Sequence, residues 1–136
     1  FLDDAAMWTL AMTPINAPDA PQPGGGYSQA ILVEPGQSLL FVSGQIPVDA
    51  AGEVPAGFAA QCRLVWRNLA AQLAAADMDL THLVKVTTFL SDRRHAQENS
   101  AIRRDILGDH APALTVIVCD IYDPAWLLEI EAVAAK

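Results

Sequence analysis

The chain has 136 residues, which corresponds to one domain able to bury roughly 70% of the surface of its unfolded state. Its 52% hydrophobic content and mean hydropathy of +0.25 are high for this length, and surplus apolar surface usually ends in a contact between subunits. Sixteen acidic residues against eight basic ones give a net charge of -8, so we expect no nucleic-acid partner.

The N-terminal region contains several prolines and three consecutive glycines, a composition typical of an extended arm that ends in a flexible loop. Residues 1–15 are interpreted as this arm or as an extension before a native start at Met12, and residues 16–136 as the single domain. The first residues lack the basic segment of a signal peptide, and no apolar run approaches the roughly 18–20 residues of a membrane span. We therefore expect no membrane partner.

The two cysteines, Cys62 and Cys119, lie far apart in the chain and in no metal-ligand spacing. This spacing favours two buried free thiols in a reducing compartment, so we expect a cytoplasmic protein without a metal site.

The first half of the chain predicts two strands and a long helix. The strands cover 29–33 and 39–45, and the turn signature Glu34-Pro35-Gly36-Gln37 between them predicts that they pair as a hairpin. A helix is predicted from about 57 to 76, because apolar residues return there at spacings of three and four. These residues are Phe58, Cys62, Val65, Leu69 and Leu73.

The second half predicts a strand over 83–90, a second helix and two final strands over 114–119 and 126–134. Ser91-Asp92 offers N-cap oxygens for the second helix, and Gly108 is suited to end it. The order ββαβαββ predicts an α+β domain in which one mixed sheet carries both helices on one face. Its other face carries apolar residues, which favours a partner there.

Four short motifs, found in this order, carry a resemblance to a known family. They are Tyr27-Ser28-Gln29, Ser43-Gly44-Gln45-Ile46-Pro47, Pro112-Ala113-Leu114-Thr115-Val116 and Glu129-Ile130-Glu131-Ala132. From about residue 16 to 134 the chain resembles the RidA (YjgF, or L-PSP endoribonuclease-like) family of small enamine and imine deaminases. The resemblance implies a chorismate-mutase-like fold, a homotrimer packed around a central barrel, and ligand-binding clefts between subunits. It implies hydrolysis without a cofactor, so none is expected.

The resemblance also assigns site residues, each of which has a plainer interpretation. Tyr27 would close the ligand pocket, or it is an exposed loop aromatic. Ser43-Gly44 would line the cleft with backbone, or it is an ordinary bend. Asn99 would face the site from the second helix, or it is a surface residue. Glu129 would position the hydrolytic water, with a pKa raised by desolvation, or it is a solvated strand residue.

Position 114 departs from the family pattern. The deaminases of this family carry an arginine there, which grips the carboxylate of an amino-acid-derived imine, whereas this chain has Leu114. Leucine has no hydrogen-bond donor, and leaving a desolvated carboxylate without a partner costs roughly 3–5 kcal/mol, so we expect weak or no activity on 2-aminoacrylate-type imines.

Val116 belongs to the region whose backbone donors are expected to hold the hydrolytic water. Arg103 shares the helix face of Asn99, but a solvated helix arginine is the favoured interpretation.

Two functions from different classes therefore remain. The first is a hydrolase of the imine and enamine deaminase type that acts on a substrate without the usual carboxylate–arginine anchor. The second is a non-catalytic trimer of the same fold, which binds a small ligand or a protein in the same clefts. In the first case Glu129 is the acid–base group, whereas Glu131 is interpreted as structural and as pointing away from it. The acidic charge argues against a ribonuclease.

Overall fold

A computed structural model describes residues 11–136, and the rest of the predicted arm lies outside the described residues. The arm is not entirely irregular, because strand β1 (Met12–Ile15) pairs antiparallel with β2 (Ala30–Val33) to form a two-stranded sheet. Pro14 interrupts the usual strand pattern, and proline is tolerated in a strand that lies at a sheet edge. For that reason β1 was not predicted.

The remaining strands form a four-stranded sheet. Its spatial order is β3 (Leu39–Gln45), β6 (Leu128–Ala135), β4 (Leu83–Leu90) and β5 (Ala113–Val118). Strand β6 is antiparallel to both of its neighbours, whereas β4 and β5 are parallel, so the sheet is mixed. The predicted α+β class with two helices and a mixed sheet is confirmed.

The predicted hairpin between β2 and β3 is wrong, because the two strands belong to different sheets. Residue Ser38 exchanges two backbone hydrogen bonds with Lys136, at 2.7 and 3.0 Å, and so brings β3 alongside the C-terminal strand. The turn between β2 and β3 exists, and Gly36 has the positive φ of 91° that a tight turn requires. The turn residues therefore predicted that the chain reverses its direction, but they did not predict which strand pairs with β3.

Two helices cover one face of the four-stranded sheet. Helix α1 (Phe58–Ala75) begins after Gly57, and α2 (Ala96–Leu107) ends at Gly108, whose φ is 58°. The Asp92 carboxylate accepts a hydrogen bond from the backbone N–H of Arg94 at 2.8 Å. It therefore caps a short 3-10 turn that precedes α2, rather than α2 itself.

The core lies between the helices and this face of the sheet. It is built from the apolar stripe of α1 and from alternate strand residues, which include Val42, Val86, Leu90 and Ile130. Residues with the opposite parity point to a face that no helix covers within residues 11–136, and we call this the open face. Neither helix has the length and apolarity needed to cross a bilayer.

The two cysteines are both free, as predicted, but their surroundings differ. Cys62 lies in the core, where burial raises the pKa of its thiol to about 12, so it stays protonated at neutral pH. Cys119 is only half-buried, because it follows the last residue of the edge strand β5.

Candidate functional site

A cleft of about 440 Å³ lies beside α2. Its floor is formed by β5, one wall by α2, and the other wall by the loop that precedes β2. The residues that line it are Gly24, Gly25, Tyr27, Gln29, Ala96, Asn99, Ser100, Arg103, Arg104, Leu114 and Val116.

The glycine-rich wall, predicted to be a flexible loop, is fastened at several points. The Ser28 backbone N–H donates to the Pro112 carbonyl at 3.0 Å, and its hydroxyl donates to the Ala111 carbonyl at 2.6 Å. The Arg104 guanidinium donates to the Gly25 carbonyl at 3.2 Å. The Tyr27 hydroxyl accepts from the Gly24 backbone N–H at 3.1 Å. These bonds hold Tyr27 over the cleft.

Four of the predicted site residues meet in this cleft: Tyr27, Asn99, Leu114 and Val116. Asn99 is 2% exposed, so it is not a surface residue, and its side-chain oxygen is also 4.0 Å from the Cys62 sulfur. Leu114 packs partly against the core, whereas Val116 is exposed. The floor of the cleft is therefore apolar at the position where the family resemblance implies a cation.

Arg103 also lines the cleft, and here the prediction of a solvated arginine is wrong because its exposure is only 4%. Burial, and secondly the charge of Arg104, lowers the pKa of the Arg103 guanidinium. An arginine remains charged even so, which makes this a buried cation at the cleft wall. Because Arg103 follows Asn99 by four residues, the sequence indicated that both lie on the same face of the helix, but this spacing does not reveal whether Arg103 is buried.

The other three predicted residues, Ser43, Gly44 and Glu129, lie together on the open-face side. Strand β3 has a bulge between Val42 and Gln45, so Ser43 and Gly44 occupy the place of one residue opposite β6. A Cβ placed on Gly44 would collide with the Glu129 carboxylate and would lie 2.7 Å from its Cδ. Only glycine leaves room there for the carboxylate.

Glu129 is half-buried, and desolvation raises the pKa of its carboxyl group, with a second contribution from the Glu131 charge. The predicted direction of this shift is confirmed. The expectation that Glu131 points away is wrong, because residues two apart in a strand share a face. Glu131 lines an open-face hollow of about 270 Å³ that also contains Ser43, Lys85 and Thr87.

The predicted site residues therefore form two groups rather than one. The sheet register places Leu114 beside Val86 on the helix-covered face, whereas Glu129 lies beside Phe89 and faces the other way. Within a single chain the sheet therefore separates the two groups. Within residues 11–136 there is also no cluster of side chains suited to a metal ion.

Comparison with known proteins shows which family this chain resembles in sequence and fold. Residues 17–136 match the family model described as Endoribonuclease L-PSP. The 2-iminobutanoate/2-iminopropanoate deaminase of Rattus norvegicus is 33% identical over 124 residues, which are 90% of this chain and 88% of the relative.

Solved structures agree with the sequence comparison. YyfB from Yersinia pestis, of the Rid protein family, matches with a TM-score of 0.81 and 26% identity over 93% of this chain and 99% of that one. E. coli TdcF with bound serine matches with a TM-score of 0.69 and 31% identity, over 91% of this chain and 98% of the other. The chain therefore belongs to the endoribonuclease L-PSP family, which is also called the RidA or YjgF family.

Proposed function

We propose that this protein hydrolyses imines or enamines to carbonyl compounds and ammonia, and that its substrate is not held by a cation at position 114. The observation that carries this proposal is the Glu129 carboxylate, which fits against Gly44 and has a raised pKa. Such a group exchanges protons near neutral pH more readily than an ordinary glutamate. The rat relative is named a 2-iminobutanoate/2-iminopropanoate deaminase, which supports the reaction type.

The chemistry requires few groups. Glu129 accepts a proton from water as the water oxygen adds to the carbon of the C=N bond, and it then delivers the proton to nitrogen. In the tetrahedral intermediate Glu129 takes the proton of the new hydroxyl group and passes it to the amino nitrogen, so that the C–N bond breaks, the carbonyl forms and ammonia leaves. In this proposal, backbone N–H groups of Ser43, Gly44 and the Val116 region polarise the reacting atoms.

The two groups can form one site only if they come from different copies of the chain. The cleft beside α2 would then face the Ser43, Gly44 and Glu129 group of a neighbouring subunit. Exposed apolar side chains on both sides support such an assembly, since Phe41 on the open face is 74% exposed and Val116 in the cleft is 41% exposed. We therefore propose a homotrimer with its ligand in the clefts between subunits.

Leu114 limits the substrate. Without a guanidinium at this position, an imine whose carboxylate lies on the carbon next to C=N has no donor on the cleft floor. We therefore expect weak or no hydrolysis of 2-aminoacrylate-type compounds. TdcF has been solved with bound serine, which supports a ligand of small-molecule size.

A non-catalytic binding module is the second candidate, and the apolar floor of Leu114 and Val116 is what favours it. In that case the clefts bind a small molecule or a protein, and Glu129 has no role in chemistry. Nucleic acid is not the proposed ligand of either candidate, because the net charge is -8.

The decisive experiment measures ammonia released from imines that have or lack a carboxylate next to C=N. The wild-type protein should act only on the second kind, and Glu129→Gln should lower that rate about 100-fold or more, as expected for loss of an acid–base group. Leu114→Arg should gain activity on 2-imino acids of at least about tenfold, because one charged hydrogen bond corresponds to roughly 1.5–3 kcal/mol. Glu53→Gln, in an exposed loop, is the matched control.

Two results would count against the proposal. Rapid hydrolysis of 2-aminoacrylate by the wild-type chain would contradict the substrate assignment. If neither the wild type nor Leu114→Arg turned over any imine, the hydrolase would be rejected in favour of the binding module.

A further inference from the structure

Arg103 is a buried cation without a counter-ion in the described part of the chain. Its residue is 4% exposed, and its Nε atom has no hydrogen-bond partner within residues 11–136. One Nη donates to the Ser100 hydroxyl at 3.3 Å, which satisfies only part of a group with five donors. None of the ion pairs among the described residues includes Arg103.

Such a group destabilises the fold on its own, since a buried charge needs a partner or strong hydrogen bonds. Among the residues that the structure describes, the one neighbour that raises the pKa of the Arg103 guanidinium is Tyr27, whose side chain carries a hydroxyl rather than a carboxylate. The neighbouring Arg104 has a different role, because it is exposed and holds the Gly25 carbonyl. The unpaired donors of Arg103 therefore lie at the wall of a cleft that is open to ligands.

The Arg103 guanidinium and residue 114 lie on different parts of the cleft. Arg103 lies on the α2 wall, whereas Leu114 and Val116 form the floor of the same cleft. A ligand whose anion binds at α2 can therefore place an apolar segment on this floor. An anion joined to the reacting group by an apolar segment can use both surfaces, whereas a ligand whose carboxylate is directly beside the reacting carbon has no apolar segment to place on the floor.

We propose that Arg103 binds the carboxylate of the substrate and that an apolar segment of the substrate lies on Leu114 and Val116. The term substrate rests on the proposed hydrolase function, but the anion site itself does not require catalysis. Arg103 is thus a specificity-determining residue: it selects anionic imines in which a hydrocarbon segment separates the carboxylate from the C=N bond. Its guanidinium can form a bidentate contact with a carboxylate.

Binding of hexanoate tests the site directly, with hexanamide as the neutral probe of the same shape and acetate as the probe without an apolar segment. Isothermal titration should show hexanoate binding at least tenfold more tightly than either of the other probes. Arg103→Met should remove this preference, and Arg103→Lys should keep part of it because the charge remains. Arg67→Met, an exposed arginine of α1, is the control and should change the affinity by less than about twofold.

Thermal unfolding without ligand supplies a second readout. Because Met replaces an unpaired buried charge with an apolar side chain, Arg103→Met should raise the melting temperature by about 2–5 °C. The proposal is overturned if hexanoate binds wild type and Arg103→Met equally, or if Arg104→Met rather than Arg103→Met removes the binding. It is also overturned if Arg103→Met lowers the melting temperature and dissociates the oligomer, since Arg103 would then pair with a carboxylate of another subunit.

The Glu129→Gln variant separates this proposal from the proposed hydrolase. If ammonia release is absent in the wild type but hexanoate still binds through Arg103, the anion site stands and the hydrolase fails. If ammonia release depends on Glu129 while hexanoate binding is indifferent to Arg103, the hydrolase stands and the anion site fails.

Discussion

Two causes raise the pKa of the Glu129 carboxyl group. The larger cause is the removal of water by its surroundings, and the smaller is the charge of Glu131 on the same face. Gly44 allows the carboxylate to sit there, because any side chain at that position would occupy its place. The group is therefore held where ionisation is unfavourable, which is useful for proton transfer but unfavourable for folding.

The unfavourable ionisation of Glu129 in the folded chain predicts how the free energy of unfolding changes with pH. The pKa of Glu129 is raised above its ordinary value of 4.5, so the stability that its neutral form contributes is complete below that pH and is lost as the pH rises through the raised pKa. Glu129→Gln cannot ionise, so its free energy of unfolding should increase relative to wild type between about pH 4 and pH 7. Urea unfolding at both pH values measures the difference.

Glu131→Gln provides the matched control for this prediction. Removing the neighbouring charge should lower the pKa of Glu129 only in part, because burial is the larger cause, and NMR titration of the carboxyl carbon reports it. A stability difference between Glu129→Gln and wild type that is the same at both pH values would show that Glu129 ionises normally in the folded chain.

At this scale the sequence indicated which candidate residues lie near one another better than it indicated their burial. Tyr27, Asn99, Leu114 and Val116 were predicted and share a cleft. The burial of Arg103 was missed, since burial depends on tertiary contacts that helical spacing does not contain.

Among the elements, α1 does more than fill the core. Gln61 is 3% exposed, and its amide donates to the carbonyls of Pro55 and Ala125, both at 3.1 Å. Its oxygen accepts from the backbone N–H of Leu127 at 2.8 Å. Gln61 therefore fixes the segment that leads into β6, whose second residue is Glu129.

Replacing Gln61 with methionine should lower the free energy of unfolding by about 2–4 kcal/mol, because three backbone groups lose their partner. Urea unfolding measures this loss. The control is Gln72→Met on an exposed position of the same helix, where a change within about 0.5 kcal/mol is expected. Equal effects of the two substitutions would mean that the bonds of Gln61 contribute nothing to stability.

The elements also show which predictions local sequence allows. Strand β4 was predicted with its observed bounds and α1 to within one residue at each end, because an alternating pattern and a helical one are both visible within a short window. The pairing of β3 with β6 was missed. It joins Ser38 to Lys136, nearly 100 residues away, and no turn signature reports such a distant partner.

For the whole molecule, the proposed trimer makes the open face an interface. Phe41 is 74% exposed there, and Phe41→Glu would place a charge in the proposed contact. We expect the wild type to have three times the mass of one 14.5-kDa chain in analytical ultracentrifugation, and the variant to be largely monomeric. The variant should also lose imine hydrolysis, since both groups of site residues would no longer meet.

Tyr122→Glu is the control for that experiment, because Tyr122 is 94% exposed in the loop before β6 rather than on the sheet. It should leave the sedimentation unchanged. A wild-type chain that sediments as a monomer, or a Phe41→Glu variant that remains a trimer, would show that the open face does not mediate assembly.

Strand β5 has a further consequence. It is an edge of the four-stranded sheet, and outside the bridge between Ser28 and Ala113 its outer side shows no strand pairing within residues 11–136. Its residues Val116, Ile117 and Val118 are all more than 40% exposed. A β-branched edge of this kind is a template for aggregation through strand addition. The colloidal stability of the protein therefore depends on what covers this edge, so a subunit without its neighbours is at risk of aggregating even while it remains folded.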